Sequence, residues 1–360
     1  MSKKILFLVP YPLHESPSQR FRFEQYFALL IKRQYTYSVQ SFLNSTNWQV
    51  FYTSGNTMAK AKAIIIGCIN RVIVVFKSPM YDFVFIHREA TPIGPPLIEW
   101  VLAKLLRKKI IYDFDDAIWL TDRKKEPWLM RMGKWRSKVG SVCKWAYKVS
   151  CGNEYLCNYA AKFNKSVIYN PTTIDTENLH SPERYGMRDR SDRIRLGWTG
   201  SHSTLKYLAD IEAVLQKVLN EHPEVELLVI ADRPPALNSI AVTFIPWNIE
   251  TEIGDLLQFD IGIMPLPDDQ WAKGKCGFKA LQYMALQLPV VASPVGVNSQ
   301  IIEDGISGFL CNSLEEWIAA LGKLIRDSNL RKSMGANGRN RIRKHYSILS
   351  NSANFLSLFE

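Results

Sequence analysis

Residues 259–310 constrain the fold of this 360-residue chain more than any other stretch. An apolar run of strand length, FDIGIMP at 259–265, gives way to a polar, glycine-containing connection at 268–275, as at the end of a buried strand. Residues 278–287 then place Leu281, Met284 and Ala285 at helical spacing, and Pro289 opens the β-branched run PVVAS, which suits a central strand of a parallel sheet. Ligands of an open parallel sheet sit beyond the carboxyl ends of its strands, so residues 268–279 fall where a ligand would. Gly274 and Gly277 allow close backbone approach, and Lys273, Lys275 and Lys279 carry the charge that suits phosphate. Three lysines in a polar loop are also what a solvated surface contains, so the wider pattern has to decide.

A second strand-turn-helix unit opens at 194–198 (IRLGW) and continues through TGSHST into an expected helix over 205–220. Gly200, Ser201, Ser203 and Thr204 stand at the helix N-terminus, where backbone amides and hydroxyls receive a diphosphate. The turn matches neither the P-loop nor the dinucleotide fingerprint. Strands are expected at 224–231 and 242–247, leaving Trp247 at a strand end, either to stack on a nucleobase or to serve as a core or hinge residue.

The order of these pieces is specific: a strand ending in Pro-Leu-Pro, a glycine-rich loop, FKALQYMA, PVVAS, Gly-Val, IIEDG and GFL. It resembles the donor-binding half of GT-B glycosyltransferases, family 4 in particular. The resemblance implies an α/β fold of two Rossmann-like domains whose parallel sheets face across a cleft, with a C-terminal helix crossing back to the first domain. It implies a nucleotide-diphosphate-sugar donor, a glycan or lipid-linked acceptor, retention of configuration, and a place in cell-surface polysaccharide assembly. It also implies transfer without a metal or other cofactor. Many members hold the donor through two glutamates eight positions apart, and here those positions carry Gly274 and Gln282. A glutamine amide still bonds a diol but brings no negative charge, which leaves Lys275 and Lys279 to grip the diphosphate.

The first half reads as a second domain of the same kind. KILFLVP at 4–10 is a strand, and a helix capped by Ser18 is expected next, with Phe21, Tyr26, Leu29 and Leu30 on its apolar side. Arg20 and Arg22 near its N-terminus suit an acceptor phosphate or carboxylate. The segment 59–76 is expected to be a core-facing helix, although its cations and large apolar face would also let it lie on a membrane. His87 and Arg88 follow the strand at 81–86 and are placed with the acceptor. The strand at 109–112 leads into DFDDAIW, and crowding among Asp113, Asp115 and Asp116 is expected to raise at least one carboxyl pKa. Asp115 or Asp116 is the expected base. The match to the Asp-x-Asp metal signature of the other large glycosyltransferase fold is set aside, because the donor-like pattern lies in the other half of the chain. The expected boundaries are 1–180 with 346–360 crossing back, a linker at 181–193, and a donor domain at 194–345.

Composition narrows the partners. Residues 1–190 hold 29 Lys and Arg against 15 Asp and Glu, while the remainder holds 16 against 19. So uneven a charge points the first half at an anionic surface, either membrane headgroups or nucleic acid. The Trp135 and Trp145 neighbourhood at 129–149, rich in lysine and arginine, suits a membrane interface, and no nucleic-acid recognition motif appears. A cytoplasmic protein, peripheral at the inner face of the membrane, is expected, since no apolar run is long enough to span a bilayer and no signal-peptide cleavage site follows the first strand. The six cysteines show no zinc spacing. Two alternatives remain: a sugar-nucleotide epimerase on the same fold, which would need no acceptor, and a charge-driven nucleic-acid binder, which would show salt-sensitive binding to any duplex.

Overall fold

The computed structural model of the protein describes residues 2–52, 55–121, 126–185, 193–237 and 239–360. Contacts divide them into two units, Met1–Thr172 with Asn351–Glu360, and Thr173–Ser350. Residues 186–192 of the expected linker lie outside the described residues.

The first unit is built on β1 (Lys4–Val9), β2 (Thr36–Ser41), β3 (Phe83–His87), β4 (Lys109–Phe114), β5 (Lys148–Cys151) and β6 (Val167–Tyr169). The sheet order is β2-β1-β3-β4-β5-β6, with every pair parallel. β1, β3 and β4 are continuous apolar runs buried on both faces, as a sheet covered by helices requires. The chain leaves β1 for β2 on one side and then crosses to β3 on the other, so the carboxyl ends of β1 and β3 bound the crevice where an open sheet binds ligands. Right-handed crossovers put the connections after β2, β3 and β4 on one face. The C-terminal residues return to this unit: Phe355 stacks on Tyr26 at 4.1 Å, and Lys3 Nζ donates to the Phe359 carbonyl at 3.0 Å.

The second unit has β7 (Ile194–Gly200), β8 (Val225–Ala231), β9 (Val242–Pro246), β10 (Ile261–Met264), β11 (Val290–Ala292) and β12 (Gly308–Leu310). Its order is β12-β11-β10-β7-β8-β9, again all parallel. The strand order reverses at β7, so the loops after β7 and β10 flank this sheet's ligand crevice. Gly197 and Gly262 on these neighbouring strands make room for rings: a Cβ there would lie 1.9 Å from Phe259 and 2.3 Å from Tyr283. Two six-stranded parallel α/β sheets are the architecture that the sequence pattern implied.

Three helices differ from expectation. The helix expected from Ser18 is broken into Pro17–Arg20, a 3-10 turn at Glu24–Tyr26 and Phe27–Lys32, and Ser18 caps nothing. Side chains impose the break: Gln19 bonds the Tyr11 backbone, Glu24 accepts from the His14 amide, and Arg22 turns into the sheet. The helix expected over 205–220 is interrupted, running Leu205–Ala209 and then Glu212–Glu221. The helix expected at 59–76 forms as Thr57–Lys77, but its buried stripe is Ala63, Gly67, Arg71 and Val74, and most of its large apolar side chains are exposed. Gly67 fits because a Cβ there would lie 2.6 Å from the Phe42 ring. The fully buried Arg71 donates to the Val9, Gln40 and Ala90 carbonyls, joining the ends of β1 and β2 to the segment after β3.

Candidate active site

In the first unit, sheet register assembles the polar centre. His87 on β3 pairs with Asp113 on β4, and Asp113 pairs with Ser150 on β5, so the three side chains fall in one row at the carboxyl ends of adjacent strands. His87 Nδ1 lies 2.8 Å from Asp113 Oδ2, and Ser150 Oγ donates to Asp113 Oδ1 at 2.6 Å. Arg22 reaches the same carboxylate and also donates to the Asn170 carbonyl. All three charged or titratable side chains, Arg22, His87 and Asp113, are wholly buried. Burial alone would raise the Asp113 pKa, but the Arg22 charge and the His87 hydrogen bond reverse this and hold it well below the usual carboxylate range. An ionised carboxylate only accepts, so Nδ1 carries a ring proton, and Nε2 is the ring nitrogen left to exchange a proton with a neighbour. That nitrogen lies 3.3 Å from Ser18 Oγ, giving a line Asp113–His87–Ser18.

Asp115 and Asp116 sit beside this centre, held by Arg88 through contacts of 2.8 and 2.6 Å. Arg88 has φ +60°, the left-handed region that costs a non-glycine residue about 1–3 kcal/mol. Its amide donates to the Asp113 carbonyl at 2.7 Å, and its own carbonyl accepts from Tyr112 Oη at 2.8 Å. The expected rise in a carboxyl pKa is corrected for Asp113 and Asp115. Burial pushes Asp115 up, the Arg88 charge outweighs it, and the carboxyl ends below its ordinary value. A carboxylate so stabilised is a weak base, which removes the physical ground for Asp115 in that role. Arg22 and Arg88 are likewise committed to carboxylates, and the Arg20 guanidinium lies 5.0 Å from the Phe21 ring. With Pro17–Arg20 only four residues long, the helix N-terminus expected to draw an anion to these arginines is not formed.

In the second unit, Gly200, Thr204 and Lys279 converge. A Cβ on Gly200 would meet the Trp198 ring at 2.6 Å, Thr204 Oγ1 at 2.8 Å and Lys279 Cε at 2.9 Å. Lys279 Nζ stands 5.2 Å from the Trp198 ring centroid, and Tyr283 Oη accepts from the Thr199 amide at 2.9 Å, tying the Phe278–Ala285 helix to the end of β7. That helix begins at Gly277 with φ +68°, where a Cβ would lie 2.2 Å from Ile301; both conformation and space demand glycine. Ser201 and Ser203 face each other at 2.8 Å, and Lys275 lies over Trp271 at 5.6 Å. The arrangement sets a cation and small hydroxyl and glycine positions at the mouth of the crevice, a set suited to a diphosphate.

Gln282, one turn beyond Lys279, is buried. Its Nε2 lies 3.4 Å from Glu252 Oε1 and 3.5 Å from His180 Nε2, and Trp247 Nε1 also approaches Glu252 at 3.4 Å. Trp247 and Gln282 are thus joined through Glu252, and the glutamine amide is engaged with protein rather than turned to open space. Sequence reasoning missed Glu252 and His180. It also missed Ser18 as the His87 partner, Ser150, and the His202–Asp232 contact at 2.5 Å. Ser150 was recoverable from the strand-end rule applied one strand further; His180 and Glu252 carry no local signature. Among the described residues, no group of three His, Cys, Asp or Glu side chains is placed to hold a metal ion.

Residues 194–327 match the family described as Glycosyl transferases group 1. The two-sheet fold is the GT-B fold, and its second sheet lies within the segment that matches the group 1 glycosyltransferases. The chain is similar in fold to a glycosyltransferase from Rickettsia africae, at TM-score 0.69 and 15% identity, covering 99% of this chain and 98% of that one. Anabaena HepE, solved in complex with UDP and glucose, matches at TM-score 0.64 and 16% identity over 99% of both chains. The sucrose-phosphate synthase of Thermosynechococcus elongatus matches at 0.66 and 12%, covering 99% and 98%. No curated protein matches the sequence significantly.

Proposed function

We propose that the protein transfers a sugar from a nucleotide-diphosphate-sugar donor, bound by the second unit, to a glycan or lipid-linked acceptor bound by the first. Transfer proceeds with retention, as part of cell-surface polysaccharide assembly on the cytoplasmic side of an anionic membrane. The observation that carries the donor half is the convergence of Gly200, Thr204 and Lys279 at the crevice of a sheet matching the group 1 family. The UDP and glucose of Anabaena HepE make a uridine-diphosphate sugar the first donor to try. Replacing Lys279 by alanine is expected to weaken UDP binding by about 1.5–3 kcal/mol, as for a hydrogen bond to a charged group. Calorimetry giving equal affinities for K279A and wild type would remove the assignment.

On the acceptor side, the reading gives His87 the reacting hydroxyl, directly or through Ser18, with Asp113 as positioning residue. Arg88 occupies Asp115 and Asp116, which supports transfer without a divalent cation; turnover is expected to survive chelation, and its loss with EDTA and recovery with added metal would reverse this point. Support for the membrane comes from the charge of the first half, since among the described residues no helix is long and apolar enough to cross a bilayer.

A further inference from the structure

The Thr57–Lys77 helix is built the wrong way round for a core helix. Its inward stripe is Ala63, Gly67, Arg71 and Val74, mostly small, with a guanidinium spent on backbone carbonyls. Outward stand Ile65, Ile69, Val72, Ile73 and Phe76, at spacings of three, four and seven, with Ile69 54% and Phe76 80% exposed. Helical geometry collects such residues into one stripe. A stripe of this size facing water marks an interaction surface.

The patch continues onto its neighbours. The Leu97–Trp100 helix packs against the Thr57–Lys77 helix and exposes Leu97 and Trp100. The Gly94 amide donates to the Gly133 carbonyl at 2.7 Å, bringing in the Trp128–Lys134 helix with Trp128 and Met132 exposed. Right-handed crossovers put these connections on the same face of the sheet. Charge identifies the occupant. Lys62, Lys77 and Arg131 are exposed in these elements, whereas Glu99 is buried and Glu89 is paired with Lys138 at 2.7 Å. Aliphatic side chains with tryptophans and a cationic border, free of exposed opposing carboxylates on these helices, complement an anionic lipid surface.

We propose that the Thr57–Lys77 helix is an in-plane membrane anchor, its Ile65–Ile69–Val72–Phe76 stripe inserted among acyl chains while the flanking lysines meet anionic headgroups. The proposal deepens the membrane reading above and adds insertion to electrostatic attraction. It is tested by sedimenting the full chain with phosphatidylcholine vesicles and with vesicles containing phosphatidylglycerol, comparing wild type, I69E/F76E and Lys62→Gln. Wild type is expected on the anionic vesicles only. The double variant should partition about tenfold or more weaker for each apolar side chain withdrawn, at low and high salt alike, while Lys62→Gln weakens only the salt-sensitive part. Hydrogen-exchange protection of the β1, β3 and β4 amides, unchanged in I69E/F76E, shows that the first unit of the variant is folded. Wild-type partition by I69E/F76E would overturn insertion and leave electrostatic binding standing. No wild-type binding to either vesicle would overturn both. A wild-type dimer without lipid that I69E/F76E converts to monomer would assign the stripe to a second copy of the chain and overturn the anchor.

Discussion

Replacing His87 by glutamine is expected to lower turnover by about 10²- to 10⁴-fold, the range of a positioned general acid or base. UDP affinity should not change, because the donor groups belong to the other unit. The glutamine amide can still donate to Asp113, as Nδ1 does across 2.8 Å, so the buried carboxylate keeps a partner; what is lost is the basic nitrogen facing Ser18 Oγ at 3.3 Å. Ser18→Ala separates two ways of using that nitrogen. If the serine hydroxyl lies between substrate and ring, S18A falls with H87Q; if the ring meets the sugar acceptor itself, S18A stays near wild type. The pH profile is a second readout. H87Q should lose whatever limb of kcat/KM the imidazole contributes, a change that a merely structural histidine would not produce. Normal turnover and an unchanged profile in H87Q would return the search for a hydroxyl-handling group to Asp115 and Asp116, held as they are by Arg88.

Burial written as composition was legible in the sequence, and contacts between distant side chains were not. β1, β4 and β10 announce themselves as unbroken apolar runs, and Gly277 sits in a loop that its lysines and glycines mark as a ligand crevice. β2 (TYSVQS) escaped because an edge strand need not be apolar on both faces; only part of it is covered. The helix expected from Ser18 failed for another reason. Its pattern was helical, but Arg22 is drawn away by Asp113, 91 residues on, and by the Asn170 carbonyl, 148 residues on. No local propensity competes with a buried guanidinium whose partners fix its position. The same cause misled the carboxylate argument: DFDDAIW shows three acids and hides the two arginines that neutralise them. At 57–77, amphipathicity was visible but its direction was not. An arginine in an apolar helix reads as the solvent side, whereas Arg71 is the buried side, satisfied by strand-end carbonyls.

The second large effect is on stability. Removing one partner of a buried ion pair leaves the other charged and unpaired, at a cost of about 3–5 kcal/mol. Arg22→Met strips Asp113 of its guanidinium, and Asp113→Asn takes away the carboxylate that Arg22 faces, while its bonds to the Ser150 hydroxyl and the Asn170 carbonyl remain. Each single variant is therefore expected to lose that amount in the first unit. The double variant R22M/D113N should lose clearly less than the sum, because no charge remains stranded. A chain of two units does not unfold in one step, so the measurement is hydrogen exchange at the β1, β3 and β4 amides rather than a single melting curve. The pH dependence has a definite sign. Asp113 is depressed in the folded state, so its contribution is fully present above the unfolded carboxyl pKa of about 3.9 and is lost as pH falls through the lower folded value. Wild type should weaken in acid, and R22M/D113N should show less of that acid-sensitive loss. Strict additivity of the two single variants, with an unchanged acid limb in the double, would mean that Arg22 and Asp113 are neighbours without coupling. The Asp113–His87–Ser18 line would then lack the rigid base on which the His87 prediction depends.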